Sequence, residues 1–141
     1  MTIEDVIESG QCVRTISGRA TVKQAAAEMC RWHIRALIVG DATDPVGILC
    51  ERDVLERVVA KGLDPATTIV EQVMTSPLVC LPAGSTADEA LDYMRAQRLH
   101  QVPIVGDEAI IGMVSASDLR RWALQSRDSE IRALRRYVTG T

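Results

Sequence analysis

The residues best placed to do chemistry are a serine and an aspartate three positions apart. Ser115 and Asp118 lie in the stretch G-M-V-S-A-S-D, from Gly112 to Asp118. An apolar run that ends in a small hydroxyl residue, with an acid just after, puts both side chains at the mouth of a helix. A carboxylate there can accept directional, charge-assisted hydrogen bonds from a pair of ligand hydroxyls. The helix N-terminus beside it offers free N–H groups and a positive dipole end to an anion. Gly112 has no side chain, so a ligand could lie close to the strand. The same spacing is also a capping box, in which Ser115 and Asp118 only satisfy backbone donors of the helix itself. Sixty-five residues earlier the chain reads G-I-L-C-E-R-D, from Gly47 to Asp53, with Cys50 in the serine position. Cysteine caps poorly, so Asp53 has less reason to be present for capping alone. Arg35 and His100 hold equivalent places upstream and supply donors suited to an anion.

Other chemistries have less to stand on. Cys12, Cys30, Cys50 and Cys80 contain no C-x-x-C pair. They read as small thiols of a reducing compartment. None sits in a recognisable activating or metal-ligand pattern, so a thiol- or Cys/His-metal-dependent protein is the weaker competing class. With 16 basic and 19 acidic residues the net charge is -3, which does not favour a general nucleic-acid binder. No apolar run approaches the roughly 18 residues of a membrane span. The N-terminus, M-T-I-E-D-V-I-E, lacks the signal-peptide pattern. The cytoplasm is the expected location.

The elements that must position these residues follow from periodicity and breakers. Ile3, Val6 and Ile7 suit a helical turn, and Val13 to Ile16 a brief strand. Thr21 caps a helix whose apolar positions are Val22, Ala25, Ala26 and Met29, running to about Trp32 or His33. Ala36 to Val39 and Val46 to Leu49 are strands around a turn with Asp41, Asp44 and Pro45. A second helix runs from about Glu51 to Lys61, and Gly62 stops it. Ile69 to Met74 is a second helical lead-in, Leu78 to Leu81 a strand, and Ser85 or Thr86 caps the helix carrying Ala87, Ala90, Leu91 and Met94. Val102 to Val105 and Ile110 to Val114 are strands, and a helix begins near Ser115 with Leu119, Trp122 and Ala123 on it.

One offset of sixty-five residues, without a gap from Thr21 and Thr86 onward, lays the second half on the first. Such a repeat implies two similar units that pack on each other about a pseudo-twofold axis and share one core. The expected division is 1–66, 67–125 and a helical tail over 126–141. From Leu119 to Val138 there are six arginines and two acids, which reads as a solvated face or one packed on a partner subunit, rather than a nucleic-acid patch.

A β-α-β-β-α unit that occurs twice and ends G-h-h-[S/T]-x-x-D resembles the CBS domain, and a tandem pair of these is a Bateman module. The resemblance runs from about Ile3 to about Ala123. It rests on the V-x-x-A-x-x-x-M helix of copy one, R-L-H-Q-V-P-I-V in copy two, the E-Q-V-M-T-S-P lead-in and the two G-x-x-x-x-x-D endings. It implies an α/β (α+β) fold and a stand-alone regulatory module that is not an enzyme. The implied ligand is adenosine-containing: AMP, ADP, ATP or S-adenosylmethionine, with no separate cofactor. It also implies a homodimer, for which Ile131, Leu134 and Val138 offer an apolar face, and an unidentified regulated protein. A ligand-free structural dimerisation module is the alternative.

On that resemblance Asp118 and Ser115 would hold the ribose. His100 would meet phosphate, as a basic residue does at this place in a nucleotide-sensing member of the family. Val79, Leu81, Gln101, Val102 and Pro103 would line the adenine cleft of copy two. Asp53, Arg35, Arg14, Ile16, Ala36, Leu37 and Ile38 would form the matching cleft of copy one. There Cys50 replaces Ser115 and Ile38 replaces Pro103, so the two clefts are expected to be unequal.

Overall fold

The structure is a computed structural model and describes residues 3, 13–41 and 43–124. The first copy comprises β1 (Thr15–Ile16), α1 (Val22–Trp32), β2 (Ala36–Gly40), β3 (Pro45–Cys50) and α2 (Glu51–Val54), which widens into a π-helical turn over Leu55–Val59. After a short α3 (Val70–Val73) come β4 (Leu81–Pro82), α4 (Ala87–Gln97), β5 (Gln101–Val105) and β6 (Ile110–Ser115). A helix over residues 116–124, α5, completes the second copy.

The copies agree in detail. In each three-stranded sheet the first strand runs parallel to the second, and the second antiparallel to the third. Ile16 pairs with Val39 as Leu81 pairs with Ile104, and Leu37 with Leu49 as Val102 with Val114. The register slips at the same place, between Val39 and Gly40 and between Ile104 and Val105. Helix starts match as well: Thr21 accepts from the Gln24 N–H at 3.1 Å and Thr86 from the Glu89 N–H at 3.1 Å. Both helices end on a left-handed residue, His33 at φ 53° and Arg98 at φ 57°.

Each sheet packs its α1- or α4-facing side on its own helices and its other side on the partner copy. Period-two alternation therefore buries β2 on both faces, which is why it reads as an unbroken apolar run. Leu37 and Val39 join Val22, Ala25 and Leu49 in the first core; Val102 and Ile104 join Ala90, Met94 and Leu119 in the second. Ala36, Ile38, Ile48 and Ile110 form a third cluster between the copies. Val13 and Leu78, and Ile48 and Met113, are pairs related by the repeat, and both members of each pair meet in that cluster. This is what packing about a pseudo-twofold axis produces.

Three expectations change. The strands foreseen over Val13 to Ile16 and Leu78 to Leu81 become the two-residue strands Thr15–Ile16 and Leu81–Pro82, and the chain before the second crosses to the first copy, where Thr75 pairs with Ile48. The helix foreseen from Glu51 to Lys61 opens into the π turn. The Ala60 N–H donates to the Leu55 carbonyl, and the wide turn sets Arg57 over the carbonyls of Val73 and Met74 at 3.0 and 2.9 Å. The lead-ins are exchanged: the Val70 N–H donates to the Ala20 carbonyl, and the Ile3 N–H to the Ser85 carbonyl. Val70 and Val73 thus close the first core and Ile3 the second. The tail, with Ile131, Leu134 and Val138, lies outside the described residues.

Candidate functional site

Ser115 ends β6 and starts α5. Its Oγ accepts the Asp118 N–H at 3.0 Å and lies 3.2 Å from the Ser117 hydroxyl. Half of the capping box is therefore present. The Asp118 carboxylate instead turns outward and pairs with Arg121. In copy one the roles are reversed. The Cys50 N–H donates to Asp53 Oδ2 at 2.9 Å, and the Thr75 hydroxyl donates to Oδ1 at 3.1 Å. Asp53 is 9% exposed, with the Arg57 guanidinium 3.9 Å away. Of the two motif acids, then, Asp53 holds the fold together and Asp118 faces solvent. The poor cap at Cys50 does not free Asp53 for a ligand, because its carboxylate serves the backbone N–H of Cys50 and a threonine from the next copy.

Gly47 shows the same occupation. A Cβ there would meet Met74 Sδ and the Thr75 carbonyl, each at 2.8 Å. The space expected beside this glycine's strand is taken by the chain itself. Its counterpart Gly112 is buried opposite Ile104.

Asp118 opens onto a cleft of about 390 Å³ between the copies. Its second-copy walls are Gln101, Met113, Ser115 and Arg121, and its first-copy walls are Val13, Arg14, His33, Arg35 and Ala36. A neighbouring cleft of about 450 Å³ adds Arg52, Leu55, His100 and Arg120. The two share Arg35, Gln101, Ser115 and Ser117, so they form one groove.

This corrects which strands serve which acid. The Asp118 cleft takes its far wall from the first copy, including Arg14 and Ala36, which were expected beside Asp53. Val79 lines none of these clefts. Val102 and Leu37 point into the cores of their own copies, and Leu81 and Ile16 pack against those cores. Their side chains belong to the helix-facing side of the sheet, one step out of phase with the groove. Pro103 and Ile38 have the other phase, but both are buried, Ile38 fully. Arg14, Arg35, Ala36, Gln101, His100, Ser115 and Asp118 are the expected residues that the structure brings together.

His100 is partnered across the copies: Arg52 Nη1 donates to its Nε2. Arg52 is also bonded to Glu56 at 3.1 Å. Arg14 stacks on Trp32, with the guanidinium carbon 3.5 Å from the ring centroid, which holds it at the mouth of the Asp118 cleft. Trp32, Arg52 and Arg121 are not among the residues the sequence pointed to, and His33, an exposed residue, lines the cleft as well. Arg121 alone had a local signal, an opposite charge three residues after Asp118 on a helix.

The Cys50 thiol is pushed up to about 12 by burial, with the carboxylates of Asp53 and Glu51 adding to the effect. Burial also raises Cys80. Neither supplies a thiolate near neutral pH. Among the described residues no three His, Cys, Asp or Glu side chains cluster as metal ligands, and no helix is long and apolar enough to cross a membrane.

Two copies of a β-α-β-β-α unit are closed on each other around a polar groove, a tandem domain pair. The family model of the CBS domain matches residues 2–60 and 70–125, so the chain belongs to the CBS-domain family. It is 29% identical over 125 residues to the mitochondrial CBS domain-containing protein CBSX3 of Arabidopsis thaliana, an alignment covering 85% of this chain and 61% of that one. An inosine-5'-monophosphate dehydrogenase of Methanocaldococcus jannaschii is 33% identical, over 95% of this chain but only 29% of its own length. The chain therefore spans less than two thirds of either relative. A CBS-domain protein structure from Burkholderia ambifaria superposes with a TM-score of 0.81 at 26% identity, covering 89% of this chain and 95% of the other.

Proposed function

We propose that the inter-copy groove binds an adenosine-containing phosphate ligand, and that the module has no chemistry of its own but reports the ligand to a partner protein. The observation that carries this reading is the pairing of opposite charges along one groove. The outward carboxylate of Asp118 can accept two ribose hydroxyls, while Arg14, Arg35 and Arg52 supply guanidinium forks further along. The cations favour AMP, ADP or ATP over S-adenosylmethionine, whose sulfonium would add positive charge to a cationic wall. Ser115 and Gln101 provide neutral donors and acceptors between the two ends.

The reading includes a homodimer. Leu55, Val59 and Leu124 are apolar and roughly 60% exposed on helical segments that flank the groove, which suits a covered face. Calorimetric titration with adenosine, AMP, ATP and S-adenosylmethionine tests the ligand. Tighter binding of AMP or ATP than of adenosine supports the reading; no heat from any of the four, or a preference for S-adenosylmethionine, overturns it.

A further inference from the structure

A third cleft, of about 580 Å³, lies between the first copy's Arg52 and Glu56 and the second copy's α4 and α5, and continues from the groove through Arg52, His100 and Arg120. We propose that it is a separate binding site for a multiply charged phosphate chain. Its walls carry four arginines, Arg52, Arg95, Arg98 and Arg120, against one acid, Glu56. Glu56 is already bonded to Arg52 at 3.1 Å. Among the described residues the side chains of Arg95, Arg98 and Arg120 meet no carboxylate.

That concentration is not what an ordinary solvated face looks like in a chain whose net charge is -3. Arg95 lies in the last turn of α4 and Arg98 at its C-cap, where the helix dipole favours a cation. Arg120 has no such account, because it lies at the middle of α5, away from either end of that dipole. Guanidiniums lining one cleft repel each other, and an anion bound among them relieves that repulsion. The floor is apolar, formed by Leu91, Met94 and Leu99, and an apolar floor weakens solvent screening of the charges above it. The cleft is concave and of small-ligand size, which favours a compact polyanion over an extended nucleic-acid backbone.

The test uses the full chain and inorganic tripolyphosphate in calorimetry at low salt. The wild type should bind it, with affinity dropping at least tenfold between about 50 and 200 mM salt. The double variant Arg95→Gln/Arg98→Gln should lose at least tenfold in tripolyphosphate affinity while keeping its melting temperature and its response to adenosine. Arg120→Gln should lose affinity in the same direction. Four results overturn the proposal: no binding by the wild type, full binding by both variants, tighter binding of duplex DNA than of tripolyphosphate, or displacement of tripolyphosphate by saturating AMP, which would place the anion at the phosphate end of the Asp118 groove.

Discussion

Replacing the two motif acids should separate stability from binding. Asp53→Ala removes a buried carboxylate that accepts from the Cys50 N–H at 2.9 Å and the Thr75 hydroxyl at 3.1 Å. Each hydrogen bond to a charged group contributes roughly 1.5–3 kcal/mol, and truncation leaves both donors unpaired in a site that is nearly closed to water. The two losses overlap, so about 2–4 kcal/mol is expected. For a chain of this size that lowers the melting temperature by roughly 6–12 °C. Asp118 faces solvent, and Ser115 still caps α5 without it, so Asp118→Ala should change stability by less than about 0.5 kcal/mol. Urea denaturation of both variants, with thermal melts in parallel, gives the comparison. The reasoning fails if Asp53→Ala melts within 2 °C or so of wild type, or if Asp118→Ala is destabilised as much as Asp53→Ala.

Other outcomes follow from the same geometry. Gly47→Ala should cost about 1–3 kcal/mol, because its Cβ would meet Met74 Sδ and the Thr75 carbonyl, each at 2.8 Å; a neutral result in denaturant titration would mean the Met74–Thr75 segment yields freely. His100→Ala should weaken ATP and AMP more than adenosine, since it and Arg52 face the groove together; equal loss for all three would remove His100 from the phosphate end. Timed alkylation at about pH 8, read by mass spectrometry, should modify exposed Cys30 well before Cys50, whose thiol is pushed up to about 12. Faster labelling of Cys50 would contradict its burial. Light scattering at micromolar concentration should give twice the chain mass, and a monomer mass would remove the dimer.

Local signals carried most of the fold. Thr21 and Thr86 cap helices, the apolar runs at Ala36 and Val102 are strands, and the sixty-five-residue offset holds down to the register slip in each sheet. What escaped is non-local. A strand buried on both faces shows no alternation, so nothing in the run Ala36 to Val39 says that Leu37 faces a helix and Ala36 the other copy. For the same reason the far wall of the Asp118 cleft could not be assigned to Val13, Arg14 and Ala36. The structural role of Asp53 has no local signal, because its second partner, Thr75, is twenty-two residues away and belongs to the exchanged lead-in. The stack of Arg14 on Trp32 has no sequence pattern at all.

The account turns on Asp118 as the ligand's carboxylate, and calorimetric titration of AMP into wild type, Asp118→Ala and Asp53→Ala tests it most directly. Losing a carboxylate that accepts two ribose hydroxyls should cost roughly 2–3 kcal/mol, which is about 30- to 150-fold in affinity. Asp118→Ala should show that loss, and folded Asp53→Ala should bind AMP nearly as wild type does. Undiminished binding by Asp118→Ala, or its abolition in a folded Asp53→Ala protein, would contradict the account.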